Sequence, residues 1–175
     1  FVFLRPLGLR LSVDIPAEVD GVTISGIQEG AFSQCFLLES LTLPDTITTI
    51  QDSAFYGCSV LKKLEIPDSV TSMGKGTMEA CIALTDVKLP STLDTLPTST
   101  FYGCTALETV SFPEAMNTIG SEAFYQCTAL KDVDLSQIAT IETYAFEGCS
   151  ALTDITIPET CTTLGDFVFD GCSAL

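Results

Sequence analysis

Residues 54–73 read AFYGCSVLKKLEIPDSVTSM, and this stretch contains the pattern that decides the fold. The full pattern, A-F-x-x-C-x-x-L-x-x-L-x-L-P-x-x-I-x-x-I, spans about 23 residues and occurs six times, and a seventh copy is cut off at Leu175. Its cysteines are separated by 23, 23, 23, 23, 22 and 23 residues: Cys35, Cys58, Cys81, Cys104, Cys127, Cys149 and Cys172. Self-similarity at such a period predicts a solenoid, in which each repeat forms one coil and packs against its neighbours.

The first apolar block of each repeat predicts a short strand. In the quoted copy, Leu64 and Ile66 alternate with polar residues, which indicates that one side of the strand is buried. Strands that recur once per coil stack in parallel about 4.8 Å apart. A proline, which has no N–H to donate, follows the block and ends the ladder. These prolines are Pro44, Pro67, Pro90, Pro113 and Pro158, and Ser136 replaces the proline in the repeat of 22 residues.

The segment before each cysteine predicts a turn. Ala54 and Phe55 supply a small residue where backbones crowd and a large residue that fills the coil. Asp52, or Glu122 in a later copy, is typical of the start of a short helical turn. Glycine then precedes the cysteine and permits a tight turn, at Gly57, Gly103, Gly148 and Gly171.

The chain resembles the BspA-like leucine-rich repeats of bacterial and protist proteins. The consensus A-F-x-G-C-x-x-L-x-x-I-x-I-P-x-x-V-x-x-I is matched almost letter for letter by residues 54–73 and 145–164. The resemblance implies an α/β-type repeat solenoid, a horseshoe with parallel strands on its concave side and short helical turns or irregular segments elsewhere. The solenoid is expected over residues 13–175, after an N-terminal extension or fragment boundary at residues 1–12. The family is associated mostly with surface adhesion and partner binding.

Charge and composition exclude several classes of partner. The net charge is −16, with no histidine and only seven lysine and arginine residues. Nucleic acids and anionic membranes both require clustered positive charge, so neither is an expected partner. No stretch approaches the roughly 18 consecutive apolar residues of a membrane span, so direct membrane insertion is not expected either.

The cysteines and two other patterns are candidate sites. A metal centre needs converging thiolates such as C-x-x-C, which the sequence lacks, so structural thiols are favoured over a disulfide framework and no cofactor or metal is expected. Asp132 and Asp134 begin like a calcium loop, but the turn glycine and the bidentate glutamate are missing. A column of hydroxyl residues suggests ice binding or, more simply, β-branched stacking. It comprises Thr49, Ser72, Thr95, Thr118, Thr140 and Thr163.

The outward positions of the predicted strands are the best candidate binding surface. We call this surface the strand face, and its members are Ser40, Thr42, Lys63, Glu65, Asp86, Lys88, Thr109, Ser111, Asp132, Asp134, Asp154 and Thr156. Solenoids use such extended surfaces to bind partners. A structural interpretation stays open, since pairs such as Lys63 with Asp86 also relieve repulsion between neighbouring strands. The face has no aromatic residue, which disfavours sugar stacking there.

Two functions follow from these features, and catalysis is not one of them. The sequence has no histidine and no glycine-rich phosphate loop, and its paired carboxylates lie on an open face. The first hypothesis is a non-enzymatic module of a larger surface or secreted protein that binds a protein or extracellular-matrix partner. The second is an intracellular or organellar assembly subunit, favoured by the many cysteines and by Asn117, the only asparagine, which does not begin an N-x-S/T acceptor.

Overall fold

Short β-strands joined by turns make up the coils. The computed structural model describes residues 11–175, and no helix forms in this part of the chain. The strands are β1 (Leu11–Asp14), β2 (Glu18–Val19), β3 (Val22–Thr23), β4 (Gly26–Ile27), β5 (Leu38–Thr42), β6 (Thr49–Ile50), β7 (Lys63–Glu65), β8 (Ser72–Met73), β9 (Asp86–Lys88), β10 (Thr95–Leu96), β11 (Thr118–Ile119), β12 (Thr140–Ile141) and β13 (Thr163–Leu164). The predicted extension at residues 1–12 lies almost wholly outside the described residues and stays a prediction.

A parallel sheet of β1, β5, β7 and β9 carries the N-terminal half of the strand face, as the repeat predicted. Lys63 aligns with Asp86 and Glu65 aligns with Lys88, one coil apart. In later coils the same segment runs without regular strands, and the pairing shrinks to one bridge between Thr109 and Asp132. The expected strand in every coil is therefore found only in the N-terminal half. The central apolar positions of the later segments, Val110 and Val133, are still buried, whereas Ile157 in the last of these segments is exposed.

The I-x-x-I end of the repeat pattern, Val70 and Met73 in the quoted copy, leads into another set of parallel ladders. One ladder joins β4, β6 and β8, and the other joins β10, β11, β12 and β13. The hydroxyl residues of these strands lie in register, as in Thr95 with Thr118 and Thr140 with Thr163. The first coil adds a hairpin of β2 and β3, whose turn residues Asp20 and Gly21 both have positive φ. This Asp-Gly turn fits the twist of a two-stranded hairpin.

The segment before each cysteine is a turn with two left-handed residues, four positions apart. The pairs are Gly30 and Gln34, Ser53 and Gly57, Gly76 and Ala80, Ser99 and Gly103, Glu122 and Gln126, Tyr144 and Gly148, and Phe167 and Gly171. The glycines were expected at the second site. The short helical turn considered at Asp52 or Glu122 does not form, because Glu122 itself has φ 57°, which a right-handed helix does not allow. The irregular alternative is the one found.

These turns are bonded to each other along the solenoid. The N–H of Phe55 donates to the carbonyl of Thr77, and the N–H of Gly57 donates to the carbonyl of Glu79, one coil further on. The same two bonds recur in the following coils, as from Phe101 to Ala123. Backbone groups that a helix would satisfy within one coil are therefore satisfied between coils, which accounts for the absence of helix in this segment.

The core consists of stacked columns of equivalent residues. Phe101, Phe124 and Phe146 are fully buried, and their ring centroids lie 5.3 and 5.1 Å apart in succession. Six cysteine thiols donate hydrogen bonds of 3.0–3.2 Å to backbone carbonyls of the preceding coil: Cys58 to Phe32, Cys81 to Phe55, Cys104 to Met78, Cys127 to Phe101, Cys149 to Phe124 and Cys172 to Phe146. The sequence predicted a spacer at this position, and the structure adds its role as a donor.

The repeat of 22 residues keeps the turn that the others make after the strand segment. In most coils the proline carbonyl accepts from the residue three positions later, as Pro113 does from Met116. In the short coil the carbonyl of Leu135 accepts from Ile138 instead. The Asp134 side chain accepts a hydrogen bond of 2.9 Å from the N–H of Ser136. This local turn lets the short coil connect to the next segment with one residue fewer.

Candidate functional site on the strand face

The twelve residues predicted for the strand face are all exposed. The strands β5, β7 and β9 hold six of them, and residues 109–156 hold the rest in less regular segments. Alternation along each segment explains the exposure, because every residue between two of these positions, such as Leu64 or Val87, is buried or half-buried. The sequence therefore located this surface correctly, and its role in binding stays a prediction.

Lys63 lies at the centre of an ion-pair network in the N-terminal half. Its Nζ lies 2.9 Å from Oε1 of Glu65 and 3.4 Å from Oδ2 of Asp86. The hydrogen bond to Glu65 and the nearby charge of Asp86 raise the pKa of Lys63, and the same lysine lowers the pKa of Glu65. The predicted pairing of Lys63 with Asp86 is confirmed. Because these side chains are exposed, the pairs orient charge more than they stabilise the fold.

Lys88 pairs with a residue that the strand pattern did not single out. Its Nζ lies 3.6 Å from Oδ2 of Asp68, and Asp68 also accepts from the N–H of Ser91 at 2.8 Å. The hydrogen bond from Ser91, and then the charge of Lys88, lower the pKa of Asp68. The only signal in the sequence was the position of Asp68 directly after Pro67. Lys88, Asp68 and Pro67 line a shallow depression of about 590 Å³ between neighbouring coils.

The C-terminal half of the strand face is more acidic. Asp132, Asp134 and Asp154 line a second depression of about 550 Å³. The adjacent Lys131 is held by Glu108, with Nζ and Oε2 2.8 Å apart. The strand face thus presents paired charges at one end and carboxylates at the other. Its depressions are open and lack an enclosed cleft of the kind that acid–base catalysis uses.

The repeat cysteines from Cys58 to Cys172, which we call the cysteine column, have the properties of a packing element. Burial raises the pKa of Cys149 to about 12 and that of Cys104 and Cys127 well above the usual range of a thiol. A reactive or metal-binding cysteine has a lowered pKa instead. No group of three or more metal-binding side chains comes together within residues 11–175.

Comparison with known proteins gives the family. A model described as a BspA type leucine-rich repeat region matches residues 25–150 and 118–175, with six copies. The chain belongs to the BspA-type leucine-rich repeat family. Arrays of this kind generally bind proteins and are generally not enzymes. The comparison with curated proteins gives no match.

Three solved structures resemble most of the BspA-type array. A leucine-rich repeat protein of T. pallidum is 30% identical with a TM-score of 0.88, over 98% of this chain and 80% of that chain. One from Eubacterium ventriosum ATCC 27560 is 31% identical, TM-score 0.78, over 90% and 42%. A leucine-rich cell surface protein of Faecalibacterium prausnitzii A2-165 is 30% identical, TM-score 0.59, over 94% and 52%. The array thus spans about half of the last two chains or less. Within its described residues, no helix is long and apolar enough to cross a membrane.

Proposed function

We propose that this chain is a non-enzymatic binding module that presents its strand face to a protein or extracellular-matrix partner outside the cell. The observation that carries the proposal is the exposure of twelve polar side chains in a row of successive coils, above buried residues that fix their positions. A rigid, extended surface of this kind lowers the ordering cost of binding a protein. The likeness to a leucine-rich cell surface protein at 30% identity supports the extracellular setting.

The distribution of charge on the strand face supports recognition of a protein surface rather than a small molecule. Lys63 and Lys88 are each held by carboxylates, so their positions are defined before a partner arrives. The depressions beside them are wide and shallow, whereas small-molecule sites bury most of their ligand. Ordered charges at an open interface give specificity and faster association.

Two lysine variants provide a matched test. Lys88→Glu reverses a charge on the strand face, and Lys75→Glu makes the same change at an exposed position outside it. Beads that carry the wild-type chain are expected to adhere to surfaces coated with laminin or fibrillar collagen more than to albumin. Adhesion should fall for Lys88→Glu and stay unchanged for Lys75→Glu. Equal loss in both variants, or no adhesion above the albumin surface, would contradict the proposal.

An intracellular assembly subunit is the second candidate, and the cysteine column favours it. The buried thiols of Cys58, Cys104 and Cys127 each donate to a backbone carbonyl, and oxidation would remove these donors. A reducing compartment preserves them. Thiol titration of the protein isolated from its source, before and after denaturation, tests this candidate. Full titration on denaturation without a reductant would support it, and paired cysteines would exclude it.

A further inference from the structure

A second surface lies on the turn segments, where aromatic and acidic side chains alternate with the buried phenylalanines. The residue after the buried phenylalanine, or after Met78 in the one coil where methionine replaces it, forms a column that runs Glu79, Tyr102, Tyr125 and Glu147 through four successive coils. Glu122 lies three residues before Tyr125, and the N–H of Tyr125 donates to its carbonyl at 3.1 Å. We call these five residues the Tyr–Glu patch. It shares no residue with the strand face.

The two tyrosines of the patch form a tight stack at the surface. Their ring centroids lie 4.6 Å apart with an interplanar angle of 14°, which is closer than the buried phenylalanine pairs. Both rings are only half-buried. In the column, a glutamate occupies the position on each outer side of the stack, Glu79 beside Tyr102 and Glu147 beside Tyr125. The stack therefore lies between two glutamate positions of the column, and the charges of both glutamates act on Tyr102.

Within residues 11–175, no lysine ion pair involves the carboxylates of the patch. Burial, and then the charge of Glu122, raise the pKa of Glu79. Burial, and then the neighbouring Tyr125 and the charges of the three glutamates of the patch, raise the pKa of Tyr102. Every lysine ion pair within residues 11–175 lies on or beside the strand face. Charges kept close at a cost to folding are typical of binding sites.

One carboxylate of the patch is also oriented. Oε2 of Glu122 accepts a hydrogen bond of 3.1 Å from the hydroxyl of Ser99 in the preceding coil. The carboxylate is fixed through one oxygen, and its remaining lone pairs stay available to a donor. A second aromatic pair, Tyr144 with Phe167, lies in the next coils with centroids 5.4 Å apart, and Phe167 is 60% exposed. The aromatic surface thus continues past the patch.

We propose that the Tyr–Glu patch binds an arginine-rich segment of a partner protein. A guanidinium is planar, stacks on tyrosine rings and donates two parallel hydrogen bonds to a carboxylate, so one arginine can use both kinds of group at once. Lysine offers a more strongly hydrated point charge and uses the rings less well. The net charge of −16 attracts a basic segment from a distance.

The binding test uses two peptides that differ in charge alone. The probe is an acetylated and amidated (Gly-Arg)₄ peptide, and the control is the same peptide with citrulline, which keeps the shape of arginine but is neutral. Titrations of the full chain are followed by calorimetry and by amide chemical shifts at about 50 mM salt, where screening is weak. The arginine peptide is expected to shift the amides of residues 99–102, 122–125 and 147. The citrulline peptide should bind at least about fivefold more weakly.

Three variants place the binding on the patch. Tyr102→Leu keeps apolar cover but removes the π face, and Glu122→Gln removes one charge without changing shape; each should weaken binding about two- to fivefold. Tyr56→Leu changes a tyrosine of the same column outside the patch and should have no effect. Lys88→Glu on the strand face should not weaken binding either, which separates this proposal from the function proposed above.

Several results would overturn the proposal. Equal binding of the citrulline peptide would show that charge plays no part, and amide shifts confined to the strand face would place the peptide elsewhere. Binding of a neutral chitin oligosaccharide with no binding of the arginine peptide would assign the tyrosines to carbohydrate. A Glu122→Gln variant that is folded by circular dichroism and binds as tightly as wild type would remove the carboxylate from the site.

Discussion

Ala80→Gly should stabilise the solenoid, and Gly103→Ala should destabilise it, although the two residues are equivalent in neighbouring coils. Both precede a cysteine and have positive φ, 58° at Ala80 and 69° at Gly103. Both donate a backbone hydrogen bond of 2.7 Å to the following coil. Ala80→Gly therefore removes a Cβ, and Gly103→Ala adds one, at the same position of the repeat.

The magnitude follows from two opposing terms. A residue with a Cβ pays about 1–2 kcal/mol in the left-handed region, whereas glycine loses about 0.5–1 kcal/mol more backbone entropy on folding. The difference predicts a gain of about 0.5–1 kcal/mol for Ala80→Gly and a loss of similar size for Gly103→Ala. Packing does not alter the second value, since a Cβ at residue 103 would have its nearest neighbour, Cα of Ala80, at 4.0 Å.

Thermal unfolding by circular dichroism measures both variants. For a chain of this length, 1 kcal/mol corresponds to a shift in Tm of about 2–4 °C. Ala106→Gly serves as the control, because Ala106 is half-buried and has no positive φ, so glycine there should only destabilise. The reasoning is refuted if Ala80→Gly lowers Tm as the control does. Such a result would mean that the left-handed turn costs alanine nothing in this fold.

Three further changes test other parts of the structure. Gly120→Ala should cost clearly more than Gly103→Ala in the same thermal assay, because its Cβ would lie 2.6 Å from the carbonyl oxygen of Leu96; an equal loss would contradict this. The pKa of Cys149 is raised to about 12 in the fold, so above pH 9 the unfolded chain loses a thiol proton that the folded chain keeps. The free energy of unfolding, measured by urea titration, should therefore fall by up to about 1.4 kcal/mol per pH unit for this thiol. Cys149→Ala should flatten that slope, and an unchanged slope would exclude the thiol as its source. Glu79→Gln should raise Tm at pH 7, because the pKa of Glu79 is raised in the fold and its charge opposes folding; the gain should shrink as the pH falls through that pKa, and a gain that persists at pH 3 would argue against a charge effect.

The sequence predicted the strand face well because period and alternation are properties of the chain itself. Spacing of 23 residues puts Lys63 one coil away from Asp86, and the structure aligns them in register. Asp68 could not be assigned in the same way. It lies after Pro67, where the strand has ended, and its contact with Lys88 depends on how the chain turns after the strand in each of the two coils.

The turn segments were harder to predict, since their geometry leaves little trace in residue type. Glycine marks the left-handed site at Gly57 and Gly103, but alanine and glutamine occupy it at Ala80 and Gln126. Glu122 is typical of a helix start, yet it adopts φ 57° because the neighbouring coils already satisfy the backbone of this segment. Tertiary hydrogen bonding overrides local preference here. The Tyr–Glu patch was missed for the same reason, because its columns lie on these turns.

A partner can bind only where the side chains of the repeat still have bonding capacity. The cysteine thiols are buried and already donate to the preceding coil, and the Phe124 ring stacks on a ring in each neighbouring coil, so these groups have no capacity left for a partner. On the strand face the lysines are also paired, which makes that surface selective for a partner able to compete with existing ion pairs. The carboxylates of Glu79 and Glu122 repel each other instead, so a cation placed between them relieves a cost as well as forming contacts. The same repeat therefore supports two surfaces with different requirements, and a partner that satisfied both would need ordered charges on one side and arginine on the other.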